Sequence, residues 1–451
     1  MTPLEQTYND GVFPISCFAY TGLGAENGGQ PESVNDWVDC GLTVARMGGP
    51  GDDDSPERVA EMITMLDACH ERGMKMIVDD HRTTFHAYLE HGEDAYRENV
   101  AKIMSQFGEH PAVFGFDIGD EPNTLRIRAA LRASEILHTM APNHSHFLNH
   151  GPYSKGGIEW MGRRSYREYL NQFATRGKAS FLCHDVYWQM QSHLDHNTPE
   201  QPDALQANVY WQAPANDLDS YFNSLKMYSD ASKRTGLPWW VTLLACGHWE
   251  YRCPTEDDFR WQVSTAAACG AKGLLWYLFY MSGMYQNYRR PPIEHGQRTE
   301  TFAYLSRVLR TFSNIQGRVL CKLTHERSWH LGKRYGDWPA TLDSEHVRDV
   351  RAKFPVIVSE FVDAEGNPYV MVVNNTTDLT GQAVITWHGK PDVHQIGWDS
   401  KEHPAKKYYD DDNPENPSCM SGAWLAPGQM ELYRLDHTND EYGVAYDYIT
   451  D

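Results

Sequence analysis

Positive charge is scarce in this sequence. Its 40 Lys and Arg face 61 Asp and Glu, a formal net charge of -21. That balance excludes the basic patches that hold nucleic acid or an anionic membrane surface. Long apolar runs are missing too, and none approaches the ~20 residues of a membrane-spanning helix. The opening "MTPLEQTYNDGVFP" has no basic stretch followed by an apolar one, so no export signal is expected and the expected location is cytoplasmic. Paired C-x-x-C spacings are absent. The nine cysteines are odd in number and scattered, which reads as reduced thiols and not as a disulfide frame. No glycine-rich phosphate loop follows the first apolar run, which argues against a doubly wound dinucleotide fold. No cofactor is expected.

What the sequence does have is a long alternation of apolar runs and amphipathic patterns. "FPISCFAY", "LTVARMG", "MKMIVDDH", "AVFGFDIGDEP", "HFLNHGP", "SFLCHDVYW", "PWWVTLLACGH" and "KGLLWYLFY" read as eight strands. Helical patterns separate most of them. In "SPERVAEMITMLDACHERG", Ser55 can cap the helix, Pro56 suits its first turn and Gly73 can end it. The inner strands are apolar at consecutive positions, as expected when both faces of a parallel sheet are buried. Eight such units over roughly 300 residues predict an α/β fold, a (β/α)8 TIM barrel spanning residues 1–320. Beyond it the period changes to two, with turn signals at Glu365 to Pro368 and at Asn374 and Asn375. This predicts a C-terminal antiparallel, sandwich-like β domain at 351–437, after a connector at 321–350 and before an acidic tail at 438–451.

A barrel explains why carboxylates follow an apolar strand, since active sites of this fold sit at the C-terminal strand ends. "VFGFDIGDEPN" puts Asp117, Asp120 and Glu121 at the end of strand four. Strand two ends near Arg46, strand three in Asp80 and His81, and strand five in Asn149 and His150. Strand six holds His184 and Asp185, followed by Tyr187 and Trp188. Strand seven ends near His248, with Glu250 just beyond, and strand eight carries Trp276 and Tyr280. Glu121 is the leading candidate for a proton donor. Desolvation and the neighbouring Asp120 both favour its acid form. The competing structural role is a carboxylate placed at the start of the next helix.

These residues, in this order, resemble the large clan of TIM-barrel glycoside hydrolases that includes cellulase-like and β-galactosidase-like families. The resemblance implies hydrolysis of O-glycosidic bonds in an oligo- or polysaccharide, a carbohydrate as the molecule bound. In that clan an Asn-Glu-Pro-type motif ends strand four; Asp120-Glu121-Pro122 stands there, so Glu121 maps onto the acid/base. Arg46 fits the arginine that ends strand two, and His81 the histidine after strand three. Tyr187 fits the strand-six residue beside the nucleophile, and Trp276 the strand-eight residue under the sugar. Asp80, Asp120, His150, His184, Trp188 and His248 complete the expected substrate-binding set.

The resemblance breaks at strand seven. Retaining members of the clan carry a second Glu there, about five residues after a proline, where this sequence has Pro238-Trp239-Trp240-Val241-Thr242-Leu243. Leu243 has no nucleophilic atom. Asp185 is the preferred substitute, as a base for water acting opposite Glu121, ahead of Glu250 and Asp80. A nucleophile supplied by the substrate, or a Cys246 thiolate, is also open. Two other classes stay open: a non-catalytic carbohydrate-binding barrel, and a metal-dependent barrel hydrolase using His81, His150, His184 and His248 with Asp80 and Asp185.

Overall fold

The apolar runs form a closed ring of parallel strands in a computed structural model that describes residues 1–26, 28–153, 165–188, 218–248, 251–281, 288–410 and 418–436. The strands are β1 (Ile15–Cys17), β2 (Val44–Gly48), β3 (Lys75–Asp79), β4 (Val113–Asp120), β5 (Phe147–His150), β6 (Leu182–Asp185), β7 (Trp239–Leu244) and β8 (Gly273–Tyr277). Their order is β1-β8-β7-β6-β5-β4-β3-β2, every pair parallel. The first and last strands of that order meet through Thr43 N–H donating to Ile15 O at 2.9 Å and Gly48 N–H donating to Thr21 O at 3.1 Å. The chain is therefore a (β/α)8 barrel, as the alternation predicts. A helix at Tyr166–Thr175 between β5 and β6 was not evident from periodicity.

Side chains alternate between two cores along each strand, because the strand period is two. Val44, Ile77, Phe114, Phe147, Phe181, Trp240 and Leu275 fill the barrel interior. Phe181 stacks on Trp240 with ring centroids 4.2 Å apart. The residues between them face the surrounding helices: Trp239, Val241 and Leu243 on β7, and Leu274 and Trp276 on β8. Full burial of such side chains stabilises by roughly 1.5–3 kcal/mol each. The bottom of the barrel is stoppered by the helix Pro3–Asn9, whose Leu4 joins the interior cluster. Tyr8 of the same helix accepts a hydrogen bond from Trp240 Nε1 at 3.2 Å and donates one to Lys272 O at 3.0 Å.

The C-terminal residues form two antiparallel sheets, one of six strands and one of four, around their own apolar core that includes Trp329, Val358, Val372 and Trp387. The outer strand Thr324–Leu331 pairs with Val356–Val362, and Val347–Arg351 pairs with Gly381–His388. The stretch expected to be a connector at 321–350 thus carries one whole strand, Thr324–Leu331, and the start of another, Val347–Arg351. Its polar sequence "THERSWHL" masks it, because an edge strand needs only partial burial. The barrel helix Glu256–Ala268 lies between the two halves and is buried along most of its length. Trp261 Nε1 donates to Asn375 Oδ1 at 2.8 Å, and Ser328 Oγ and Ser359 Oγ both donate to Ala268 O at 2.7 Å. The tail at 438–451 lies outside the described residues. Among those described, no helix is long and apolar enough to cross a membrane.

Candidate active site

Above the apolar interior sits a layer of charge. Arg46, inward on β2, donates through Nε to Asp117 Oδ2 at 2.6 Å and contacts Asp79 Oδ2 at 2.9 Å. Its guanidinium lies 4.3 Å from the centre of the Phe18 ring. Burial pushes Asp117 up to about 8, against the pull of Arg46 and of the Gly119 N–H, which donates to Asp117 Oδ1 at 2.6 Å. Two register shifts along β4, one before Gly115 and one before Gly119, aim its acidic end into the mouth. Gly119 has φ +129°, and a Cβ there would meet the Phe85 ring at 2.5 Å, so only glycine fits.

The acids themselves form one network on the next level. Asn149, inward on β5, donates through Nδ2 to Asp120 Oδ1 at 2.9 Å and to Asp185 Oδ1 at 3.0 Å. Its Oδ1 accepts from Thr242 Oγ1 at 3.3 Å, which fixes the orientation of the amide. Asp185 is hydrogen-bonded to Glu121, carboxyl to carboxyl. Glu121 itself adopts φ +41°, a backbone state that costs a non-glycine residue free energy and is common where a site demands it. Burial and then the charge of Asp120 raise Glu121 to about 7, while the bond to Asp185 pulls the other way. Burial, Glu121 and Asp120 push Asp185 well above the usual carboxylate range. Two acids in contact cannot both ionise cheaply, so the pair keeps a proton to higher pH than either carboxyl would alone.

Aromatic rings wall the mouth. Tyr187 stacks on Tyr277 with centroids 5.9 Å apart, Tyr20 meets Tyr277 edge-on at 5.8 Å, and His248 stacks on Tyr288 at 4.5 Å. Tyr277 and Tyr288 share a hydroxyl hydrogen bond.

The structure thus gathers Arg46, Asp120, Glu121, Asp185, Tyr187 and His248 at one end of the barrel, and it sorts the other expected residues elsewhere. Trp276 is buried against Phe259 on the helix side of β8, and its neighbour Tyr277 holds the inward place. His150 faces the helices, where its Nδ1 pairs with Tyr169 Oη at 2.8 Å; burial pushes it down to about 3. His184 stacks on Tyr228 at 3.7 Å in the same outer layer, and burial lowers it well below the usual histidine range. Trp188 packs on Trp261 at 4.3 Å, under the helix Glu256–Ala268. Asp80 is fully buried and held by Arg82 through Nε and Nη2, both at 2.9 Å. His81 pairs with Glu90 at 3.0 Å on the surface after β3. Leu243 also faces the helices; the inward residues of β7 are Trp240, Thr242 and Leu244, none of them acidic. Cys246 is buried, and burial pushes its thiol up to about 12, which removes it as a thiolate nucleophile. Glu250 lies outside the described residues. Among those described, no group of three or more His, Cys, Asp or Glu is arranged to hold a metal. Asn149, Thr242, Tyr20 and Tyr277 are members of the site that the motif comparison passed over.

No known family model matches the chain, nor does any curated protein. Solved structures do. A glycoside hydrolase family 5 from Bacteroides vulgatus ATCC 8482 is similar with a TM-score of 0.56 at 10% identity, over 96% of this chain and 90% of that one. A second glycoside hydrolase gives 0.55 at 11% identity, over 95% and 94%. The likeness is one of fold. It extends along nearly the whole chain and so covers the C-terminal sheets as well as the barrel.

Proposed function

We propose that the chain is a glycoside hydrolase that cleaves O-glycosidic bonds of a carbohydrate, with Glu121 as the general acid. The observation that carries this reading is the contact of Glu121 with Asp185 at the barrel mouth, with Asp120 and Asn149 beside them. A carboxyl raised to about 7 is half protonated at neutral pH, where it can donate to the oxygen of a departing sugar. The tyrosine walls suit sugar rings, and the neighbouring Asp120 stabilises positive charge developing at the anomeric carbon.

Asp185 takes a different role from the one its sequence position suggests. Carboxyls that flank an anomeric carbon stand ~5–5.5 Å apart for retention and ~6.5–9.5 Å for inversion. A pair in hydrogen-bond contact leaves no room for a sugar carbon between its members. In our reading the pair acts from one side: Glu121 gives its proton to the leaving oxygen, and the pair takes a proton back from the attacking water.

Glu121→Gln tests this. Gln keeps the shape but cannot donate, so hydrolysis of an unactivated glycoside should fall ~10²–10⁴-fold with sugar binding kept. Near-normal rates would remove Glu121 from the mechanism. The absence of a carboxylate on β7 favours a second reading, a barrel that binds sugar without cleaving it. Turnover of the wild-type protein on a panel of glycans separates the two.

A further inference from the structure

Away from the mouth, a cleft of about 1060 Å³ runs between the two halves of the molecule. It lies at the upper end of the ~300–1,000 Å³ typical of ligand sites, which favour such junctions. One wall is built from the barrel helices Glu256–Ala268 and Glu300–Phe312, the other from the sandwich strands Asp392–Ile396 and Met430–Asp436. None of the mouth residues lines it.

Its chemistry is specific. On the sandwich side, Glu431 accepts from Gln395 Nε2 at 2.7 Å and from Gln429 Nε2 at 2.9 Å. Gln429 is fixed in turn, since its Oε1 accepts from the Ala426 N–H at 3.0 Å. These planar groups form a set row that keeps lone pairs and amide hydrogens available for further bonds. At the rim stands Trp398, 87% exposed. The turn that carries it is rigid: Gly397 N–H donates to Lys401 O at 2.8 Å, Asp399 pairs with His403 at 2.8 Å, and Ser400 Oγ bonds Asn314 O on the barrel. The cations on the opposite wall are already paired with acids. Arg307 and Arg260 both contact Glu256, Arg260 also contacts Asp257 at 2.5 Å, and Arg310 lies 3.6 Å from Asp39 Oδ1.

We propose that this cleft is a second binding site, for a neutral oligosaccharide, with Trp398 as its stacking platform and the Gln395–Glu431–Gln429 row as its hydroxyl-binding strip. An indole face takes the C–H face of a sugar ring. Fixed carboxylate and amide groups pair with vicinal hydroxyls. Arginines already matched by acids leave no charge to attract a phosphate, sulfate or uronate. The argument uses the cleft's own groups and does not depend on catalysis at the mouth.

The test uses the full-length protein and a panel of neutral hexasaccharides (cello-, manno-, xylo- and laminari-oligosaccharides), with oligogalacturonate as the anionic control. Binding is followed by calorimetry and by the indole N–H resonance of Trp398. At least one neutral hexasaccharide should shift that resonance, and oligogalacturonate should not. Trp398→Ala and Gln395→Ala should each weaken binding at this site about tenfold or more. Hydrolysis of a small aryl glycoside should stay within about twofold of wild type, because neither residue belongs to the mouth. If no neutral hexasaccharide moves the Trp398 signal, or if both variants bind like wild type, the proposal is wrong. Loss of all hydrolysis in wild type with the Trp398 shift intact would refute the catalytic reading and leave this one standing.

Discussion

Replacing Asp120 by Asn probes the acid at the mouth. The side chain keeps its size and can still accept from Asn149, but it loses its charge. After burial, that charge is what raises Glu121, so removing it favours the ionised form. Glu121, now raised to about 7, should titrate closer to the usual glutamate range. If it fell to about 6, the protonated fraction at pH 7 would drop from one half to about one in eleven, a loss of about 5-fold in acid-dependent rate. The loss should shrink below pH 5, where Glu121 is protonated in either protein. The basic limb of the pH–rate profile should therefore move down by about one pH unit. Stability should move the other way. A carboxyl raised from 4.5 to about 7 binds its proton more tightly folded than unfolded. Folding then loses free energy as pH rises through that window, on the order of 3 kcal/mol by pH 7. Asp120→Asn relieves part of that cost, so the variant should melt higher than wild type at pH 7–8 and no higher at pH 4. The assays are a pH–rate profile on an unactivated glycoside and thermal unfolding at the two pH values. An unshifted basic limb, with activity lost evenly at every pH, would refute the role given to the Asp120 charge.

Three further outcomes follow from named contacts. Arg46→Met leaves Asp117 buried without its partner and should destabilise by about 3–5 kcal/mol, read as a lower Tm; Arg46→Met with Asp117→Asn should recover part of it. Tyr277→Ala should weaken sugar binding about tenfold by opening the aromatic wall, whereas Trp276→Phe should leave the binding constant unchanged and cost only stability. The first-formed product should keep its anomeric configuration if Glu121 and Asp185 act from one side, and proton NMR during the reaction reports this directly; inversion would restore Asp185 to the opposite face.

The fold was legible because the strand signal is strong: eight apolar runs separated by capped helices leave few topologies. The phase within each strand was not. In "LLWYLFY" and "PWWVTLL" both faces are buried, so both alternate sets are apolar and nothing in the residues marks which set points inward. Trp276 and Leu243 were each read one residue out of phase for that reason, with Tyr277 and Leu244 holding the inward places. His150 and His184 carry polar nitrogens, which drew them to the mouth on paper. Both instead pack in the aromatic layer outside the barrel, beside Tyr169 and Tyr228. Asp80 is consumed by Arg82, a pairing that local sequence offered but did not decide. Asn149 stood in view at the end of strand five, yet its role depends on residues 120, 185 and 242, which only the closed ring brings together.

The helix at the foot of the barrel bears on how this chain is made. Its Tyr8 is tied to Trp240 and to Lys272, partners 232 and 264 positions downstream. On a ribosome emitting ~5–20 residues per second, those partners follow the first helix by roughly ten seconds to a minute. Until they arrive, Leu4 and the interior faces of the early strands have no lid and no closing neighbour. The barrel is therefore a structure finished from its last strands back to its first helix, with its exposed edges open throughout synthesis. Weakening the grip of Leu4 or Tyr8 should show first as aggregation of newly made chain, before any change in the activity of molecules that have already closed.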